Sequence, residues 1–442
     1  MPNPGVKGKL QKNADFPQVL SLAMLLPRAM SELQEQLAAL RARMARVLEE
    51  CAERYEKPNS KGVSRIPTTP RRVPEGLEGE EIETDFGKHF ESETFYASHR
   101  RHGSAGIGDL AEMPADLLET LSRGAVRDIP PREWAFLDTE TTGLAGGTGT
   151  CAFLVGIGRI TPEGFRVRQF LMRDHGEEAS LLDAVAKHLQ PFRVLITYNG
   201  RTFDQPLLET RYRLHRAQPP FAAFVDHVDL LYGARRLWKL RFANCRLIEL
   251  EQRVLGYERE GDVPGALIPM LYFDYVHSGY GPPLRPVFEH NALDILSLAC
   301  LTAIVPHAFR DPANAPFRHG SEMTGIARWL QAAGEMEQAR TLFRRAIDAG
   351  LNDELLFRTL WDTATLERKL GCMEAALIVW NDLSRGRNPY RIRALEELAK
   401  HHEHRLKDHA GALVFTRRAL TFEDNENLRK REQRLAKRAG AG

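Results

Sequence analysis

The segment FLDTETTG sets Asp138 and Glu140 two residues apart at the end of a short apolar run. Alternate residues of a strand face one side, so both carboxylates can present oxygen to a single point. Carboxylate oxygen suits hard divalent cations such as Mg2+ and Mn2+, and two such ions can drive phosphodiester hydrolysis. The same pair occurs at ordinary solvated strand ends, so the chemistry needs further acids from other elements. In LITYNGRTFDQPLL, Asp204 falls in the first turn of an expected helix, where it would also serve simply as a favourable helix-terminal charge. In EHNALDILSLACL, His290 and Asp294 are four residues apart and share one helical face, as would two polar residues on the outer side of a buried helix.

These side chains need elements to position them. WAFLD reads as a strand, and CAFLVGIGRI and FRVRQFLM, joined by TPEG, read as a hairpin. EEASLLDAVAKHL has helical spacing, and VLITY reads as a buried strand ending at Asn199 and Gly200. A helix is expected over 204–215 and a strongly apolar one over 290–304. Strands alternating with helices predict an α/β domain with a mixed sheet flanked by helices. Beyond His319 strand signals stop, and Gly334, Ala339, Phe343 and Ala346 are echoed by Gly371, Ala376, Trp380 and Leu383, then by Ala412, Thr416 and Ala419. Small residues at fixed offsets resemble tetratricopeptide-type repeats, although an ordinary helical bundle uses similar positions. Near the N-terminus Leu33, Leu37, Leu40, Met44, Val47 and Cys51 form one helical stripe, open to self-association or to packing within the chain. The expected organisation is an amphipathic helical segment over 1–56, a Pro-rich linker over 57–80, the α/β domain over 81–310 and helical repeats over 318–440.

The order of the acids carries more than any one of them. Asp-x-Glu after a first strand, an Asp after a later strand with Asn-Gly, and an Asp with a nearby His on the last helix resemble the DEDD (DnaQ-like) 3′–5′ exonucleases. FLDTETTGLAGGTGT, ITYNGRTFDQPLL, DVPGALIP and HNALDILSL are similar to the YprB-type ribonuclease-H-like family within them. The resemblance implies that Asp138, Glu140, Asp204 and Asp294 hold two divalent ions, Mg2+ or Mn2+. It implies that His290 is the general base, a role for which an unperturbed imidazole pKa of about 6.5 is suited. The last motif departs from its two common forms: His290 stands four residues before Asp294, where one form has Tyr, and Glu289 occupies the five-residue slot where the other has His. Thr141, Gly143, Asn199, Arg201 and Phe203 flank the acids and are the candidate substrate contacts.

Weaker signals have two readings each. GLAGGTGT lacks the Gly-Lys-Ser/Thr ending of a phosphate loop and fits a tight turn. Arg201, Arg235, Arg236, Lys239, Arg241 and Arg246 could hold phosphates, and Tyr198 could border a base, or they are solvated faces. Asp226, His227 and Asp229 fit either support for the site or a helix cap. His401, His402 and His404 lack companion acids for a metal site, and the basic tail over 429–438 fits nucleic acid or solvent.

With 442 residues, 43% hydrophobic and 27% charged, the chain has a globular composition and room for two or three domains. A formal charge of +2 identifies no polyanionic partner, and five scattered cysteines without CxxC suggest neither a zinc site nor disulfides. The apolar run over 19–26 is short and ends at Pro27, so no signal peptide or membrane span is expected, and the setting is a reducing cytoplasm. The functions left open are a 3′–5′ exonuclease acting on DNA or RNA, an endonuclease of the same chemistry, and a nucleic-acid-binding scaffold working through the helical repeats and a protein partner.

Overall fold

Short apolar runs in the first half of the chain pair into one sheet. The computed structural model describes residues 77–143, 149–278 and 284–440, all within the compact unit Pro70–Gly442. The expected N-terminal helix, nearly all of the Pro-rich linker and most of GLAGGTGT lie outside the described residues. The strands are β1 (Glu80–Thr84), β2 (Gly87–Ala97), β3 (Arg101–His102), β4 (Ala105–Gly106), β5 (Trp134–Thr141), β6 (Ala152–Thr161), β7 (Gly164–Leu171), β8 (Val194–Thr197) and β9 (Asp226–Asp229). Seven of them form a mixed sheet in the order β1-β2-β7-β6-β5-β8-β9, antiparallel from β1 to β5 and parallel across β5, β8 and β9. β3 and β4 make a separate ribbon. The expected β6–β7 hairpin is present, whereas β1 and β2 carry EEIET and GKHFESETFYA, too polar to announce themselves as strands.

Helices cover both faces of the sheet. They are α1 (Glu178–Leu189), α2 (Asp204–Leu214), α3 (Leu230–Trp238), α4 (Leu247–Leu250), α5 (Ile268–Ser278), α6 (Arg285–Thr302) and α7 (His307–Arg310). Along β5 the side chains alternate: Trp134 and Phe136 join a core shared with α3 and α6, while Ala135 and Leu137 join another shared with α1 and α5. α6 starts at Arg285 rather than near His290, with Pro286 in its first turn, where a proline's missing N–H costs nothing. Its composition would suit a membrane span, but here its residues Leu298, Ala299, Cys300 and Leu301 are buried in the core over the sheet.

The C-terminal region is all helical: α8 (Gly320–Ala333), α9 (Met336–Asp348), α10 (Asp353–Lys369), α11 (Met373–Arg385), α12 (Arg391–His401), α13 (His409–Leu420) and α14 (Glu426–Ala439). Its first helices share the core of the sheet domain, for Ile326, Leu330, Ala339 and Phe343 continue the cluster that contains Trp134 and Phe136. Gly325 of α8 faces the Arg236 carbonyl of α3 so closely that any Cβ there would overlap it. Arg241 donates to Glu322 of α8 at 2.6 Å, an ion pair across the same junction.

Candidate active site

Burial on both faces drives β5 into the sheet as far as Leu137, after which the side chains begin to meet solvent. Asp138 and Glu140 therefore stand at the C-terminal end of a central strand, on the face covered by α6. α6 approaches closely because β6 offers Gly156 and Gly158 on that face. A Cβ at Gly156 would overlap Asn291 Oδ1 and Ile295 Cδ1, and one at Gly158 would overlap Ile295 Cγ2. Since Gly156 lies opposite Asp138 in the ladder, this glycine brings α6 to the carboxylate. Asn291 Nδ2 donates to Asp138 Oδ2 at 2.9 Å, and Asn291 Oδ1 accepts from Gln169 at 2.9 Å, which fixes the amide's orientation.

Asp204 is the first residue of α2 and is buried. Its Oδ1 accepts from Thr139 Oγ1 at 2.6 Å, tying it to β5. The loop before it is shaped by Asp229, whose carboxylate accepts from the backbone N–H groups of Asn199 (2.8 Å), Arg201 (3.2 Å) and Leu231 (3.1 Å). Asn199 takes a left-handed backbone, φ 69°, so β8 stops at Thr197, two residues short of the expected end. His227 bridges Thr197 (2.7 Å) and Gln205 beneath this loop. Asp229 thus both caps α3 and supports the segment bearing Asp204.

The four acids share one electrostatic field. Burial first, then the charges of Asp294, Asp204 and Glu140, push the Asp138 carboxyl well above the usual range. Glu140 is pushed up to about 8, by burial and the neighbouring acids against the lowering effect of His290. Burial likewise raises Asp204 to about 6, although the Thr139 hydrogen bond opposes it. Protein encloses these groups, yet Asp138 and Glu140 keep some contact with solvent.

His290 Nδ1 lies 2.7 Å from Asp262 Oδ1, and its Nε2 lies 3.7 Å from Asp294 Oδ2. Burial lowers its affinity for a proton, but the Asp262 hydrogen bond and the charges of Asp294, Asp262 and Glu140 prevail and raise its pKa to about 9. This corrects the expectation of an imidazole near its ordinary pKa: without added positive charge His290 is a cation. Glu289, in the alternative slot, is more than half exposed and pairs with Arg285 at 3.0 Å. Below Asp294 the buried Arg259 donates to Glu251 (2.7 Å), Asp262 (3.2 Å) and Asp294 Oδ1 (2.5 Å). Ser297 donates to Glu251 and meets His102 at 2.7 Å, which extends the network along α6.

Of the candidate substrate contacts, Phe203 is 60% exposed beside Asp204, whereas Arg201 is tied to Asp226 (3.0 Å) and the His227 carbonyl. Thr141 donates to Gly143 O at 3.0 Å at the exit of β5, and the Asn199 side chain accepts from Thr202 within its own turn. Arg241 does not face the acids but fastens α8, and the Tyr198 hydroxyl donates to Cys245 O. The tail arginines Arg431, Arg434 and Arg438 surround the buried Glu403, and His402 meets Asp408 at 2.8 Å. Asp262, Arg259, Glu251, Asn291 and Thr139 were not foreseen as site residues. Thr139, Asp262 and Asn291 lie inside motif phrases that carried no role for them, and Glu251 and Arg259 gave no signal.

Among the described residues no three His, Cys, Asp or Glu side chains close into a ready-made metal cage. The donor chemistry nevertheless fits a hard cation: the four acids offer only oxygen, and their mutual repulsion is the field that added positive charge relieves.

A model of the RNase_H superfamily matches residues 135–305, the span that contains all four acids and His290. The uncharacterized protein YprB of Bacillus subtilis (strain 168) is 35% identical over 335 residues, covering 74% of this chain and 79% of that protein. The seven-stranded mixed sheet flanked by helices is thus a ribonuclease-H-like domain, and that superfamily points to a nuclease-type function on nucleic acid. Nucleases of this fold generally use divalent metals.

Proposed function

The chain belongs to the YprB family within the RNase_H superfamily, and from that premise we propose that it is a DEDD-type 3′–5′ exonuclease of DNA or RNA. The observation that supports this most directly is the gathering of Asp138, Glu140, Asp204 and Asp294, from three separate elements, in one field beside His290. These four acids would hold two divalent ions, Mg2+ or Mn2+. Once bound, the ions would offset the negative charge and polarise the phosphodiester as Lewis acids.

The chain's own residues do the rest. Asn291 and Thr139 hold Asp138 and Asp204 in place. With Asp262 holding Nδ1–H, the neutral form of His290, which the positive charge of bound ions would favour over the cation, presents Nε2 as the atom that takes a proton from the attacking water. Phe203 offers a ring face to a base, and Thr141, Gly143 and Asn199 stand at the strand ends where a sugar-phosphate backbone would pass. Four described cysteines, all free, suit the reducing cytoplasm.

The purified chain with Mg2+ or Mn2+ is expected to shorten 5′-labelled single strands from the 3′ end to nucleoside monophosphates and to spare circular single strands. Absence of metal-dependent shortening, or Asp138→Asn as active as wild type, sinks the reading; cleaved circles would assign an endonuclease instead. We read the region from α8 to α13 as tetratricopeptide-like helix pairs that guide substrate or dock a protein. In support, Gly334, Gly371 and Lys407 all take left-handed backbone, each followed at the same offset by a fully buried alanine, Ala339, Ala376 or Ala412. Ala376→Trp should then lower the thermal midpoint by wedging a pair apart, and an unchanged midpoint would remove this reading.

A further inference from the structure

Beside the acids lies a cavity of about 360 Å3 whose outer wall has no role in the reading above. Its lining includes His290 and Asp294 on one hand and Ile248, Val263, Pro264 and Arg246 on the other. Ile248 is 47% exposed and, with Val263 and Pro264, gives the cavity an apolar wall. Arg246 is exposed, and its guanidinium makes no ion pair among the described residues. Arg259 is engaged with Glu251, Asp262 and Asp294, Arg253 with Glu249, and Arg201 with Asp226. The segment bearing Arg246 and Ile248 is pinned to the catalytic strand layer, because Tyr198, just past β8, donates through its hydroxyl to Cys245 O.

We propose that this cavity is a substrate subsite that takes one unpaired nucleotide next to the scissile bond, its base against Ile248 and Pro264 and a phosphate on Arg246. Volume, charge and place agree on that occupant. A cavity of about 360 Å3 is at the small end of ligand sites, the scale of one nucleoside rather than of a base pair. Around carboxylates that repel a polyanion, an uncommitted guanidinium is a natural anchor for a backbone phosphate. An apolar wall accepts any base face without reading its edges, so the subsite selects single-stranded ends over sequence. The inference rests on the nuclease reading only in naming the scissile bond; the binding itself requires neither metal nor turnover.

The test uses the full chain in EDTA and the fluorescence anisotropy of a labelled single-stranded DNA, its RNA counterpart and the same DNA as a blunt duplex. Single strands of either sugar are expected to bind more tightly than the duplex. Ile248→Asp and Arg246→Ala should each weaken single-strand binding by roughly tenfold, in keeping with the loss of one base contact or one phosphate contact. Arg246→Ala should also flatten the slope of log affinity against log salt by about 0.7, the contribution of one single-strand phosphate. Both positions are exposed, so unchanged thermal midpoints confirm that the variants fold. With metal added, the loss should fall on KM rather than on kcat.

Equal affinity for duplex and single strand, or variants that bind as wild type with the same salt slope, would overturn the subsite. If that happens while Asp138→Asn still abolishes turnover, the nuclease reading stands without it. If the variants weaken binding but no turnover is found, the subsite stands and the nuclease reading fails.

Discussion

At the residue scale the site depends on groups that hold the acids and the histidine rather than on the acids alone. Asp262 faces His290 Nδ1 at 2.7 Å and also receives Arg259, so it fixes the ring through an anchored carboxylate. Asp262→Asn should leave the four acids in place but lower kcat of the proposed reaction by roughly 10–100-fold, the usual cost of losing such a partner. Initial rates at saturating substrate check this, and an unchanged kcat would remove Asp262 from the mechanism. Asp138, Glu140, Asp204, His290 and Asp294 were candidates in the sequence, because periodicity puts some of them on shared faces and the order of the acids along the chain resembles a known family. Asp262 and Arg259 were not: a strand or helix pattern says nothing about a loop residue that reaches its partner only through tertiary packing.

At the scale of elements, two contacts decide where the helices lie. Gly156 lets α6 rest against β6, so Gly156→Ala should cost about 1–3 kcal/mol by overpacking and also displace Asn291 from Asp138. Urea midpoints should fall and turnover with them; a wild-type midpoint would show that the helix has slack. α1 and α2 are joined through Glu178, which accepts from Arg211 Nε at 2.6 Å and meets His215 at 2.8 Å. Burial alone would raise this carboxyl, but the Arg211 and His215 hydrogen bonds prevail and hold it below its usual 4.5. A depressed folded-state pKa stabilises above the unfolded value, and that contribution disappears as pH falls from 4.5 through the folded value. Denaturation should therefore show Glu178→Gln less stable than wild type at neutral pH, with the gap narrowing in acid. A gap independent of pH would assign the loss to packing.

For the whole molecule, the continuous core makes the helical region part of the stability of the ribonuclease-H-like domain. Truncation after Arg310 removes Ile326, Leu330 and Phe343 from the cluster they share with Leu237, Trp238 and Phe309. The shortened chain is expected to be poorly soluble or to melt at a lower temperature than the full chain, as apolar surface of this kind is exposed. Solubility and a thermal melt check this, and an equally stable truncated chain would show that the two regions are independent.

The sequence by itself determined the alternation of strands and helices, the β6–β7 hairpin and the change to all-helical structure beyond His319, and it singled out the four acids and His290 that the fold brings together. It could do so because periodicity, turn residues and motif spacing are local, and local geometry is read along the chain. Only the tertiary structure decided that polar β1 and β2 complete the sheet and that Gly156 admits α6 to Asp138. It also decided that Arg259 clamps Asp294, that Arg246 is left uncommitted beside a cavity, and that His290 carries a raised pKa. Each of these is set by neighbours distant in sequence, whose burial and charge act through space, and no spacing along the chain records them.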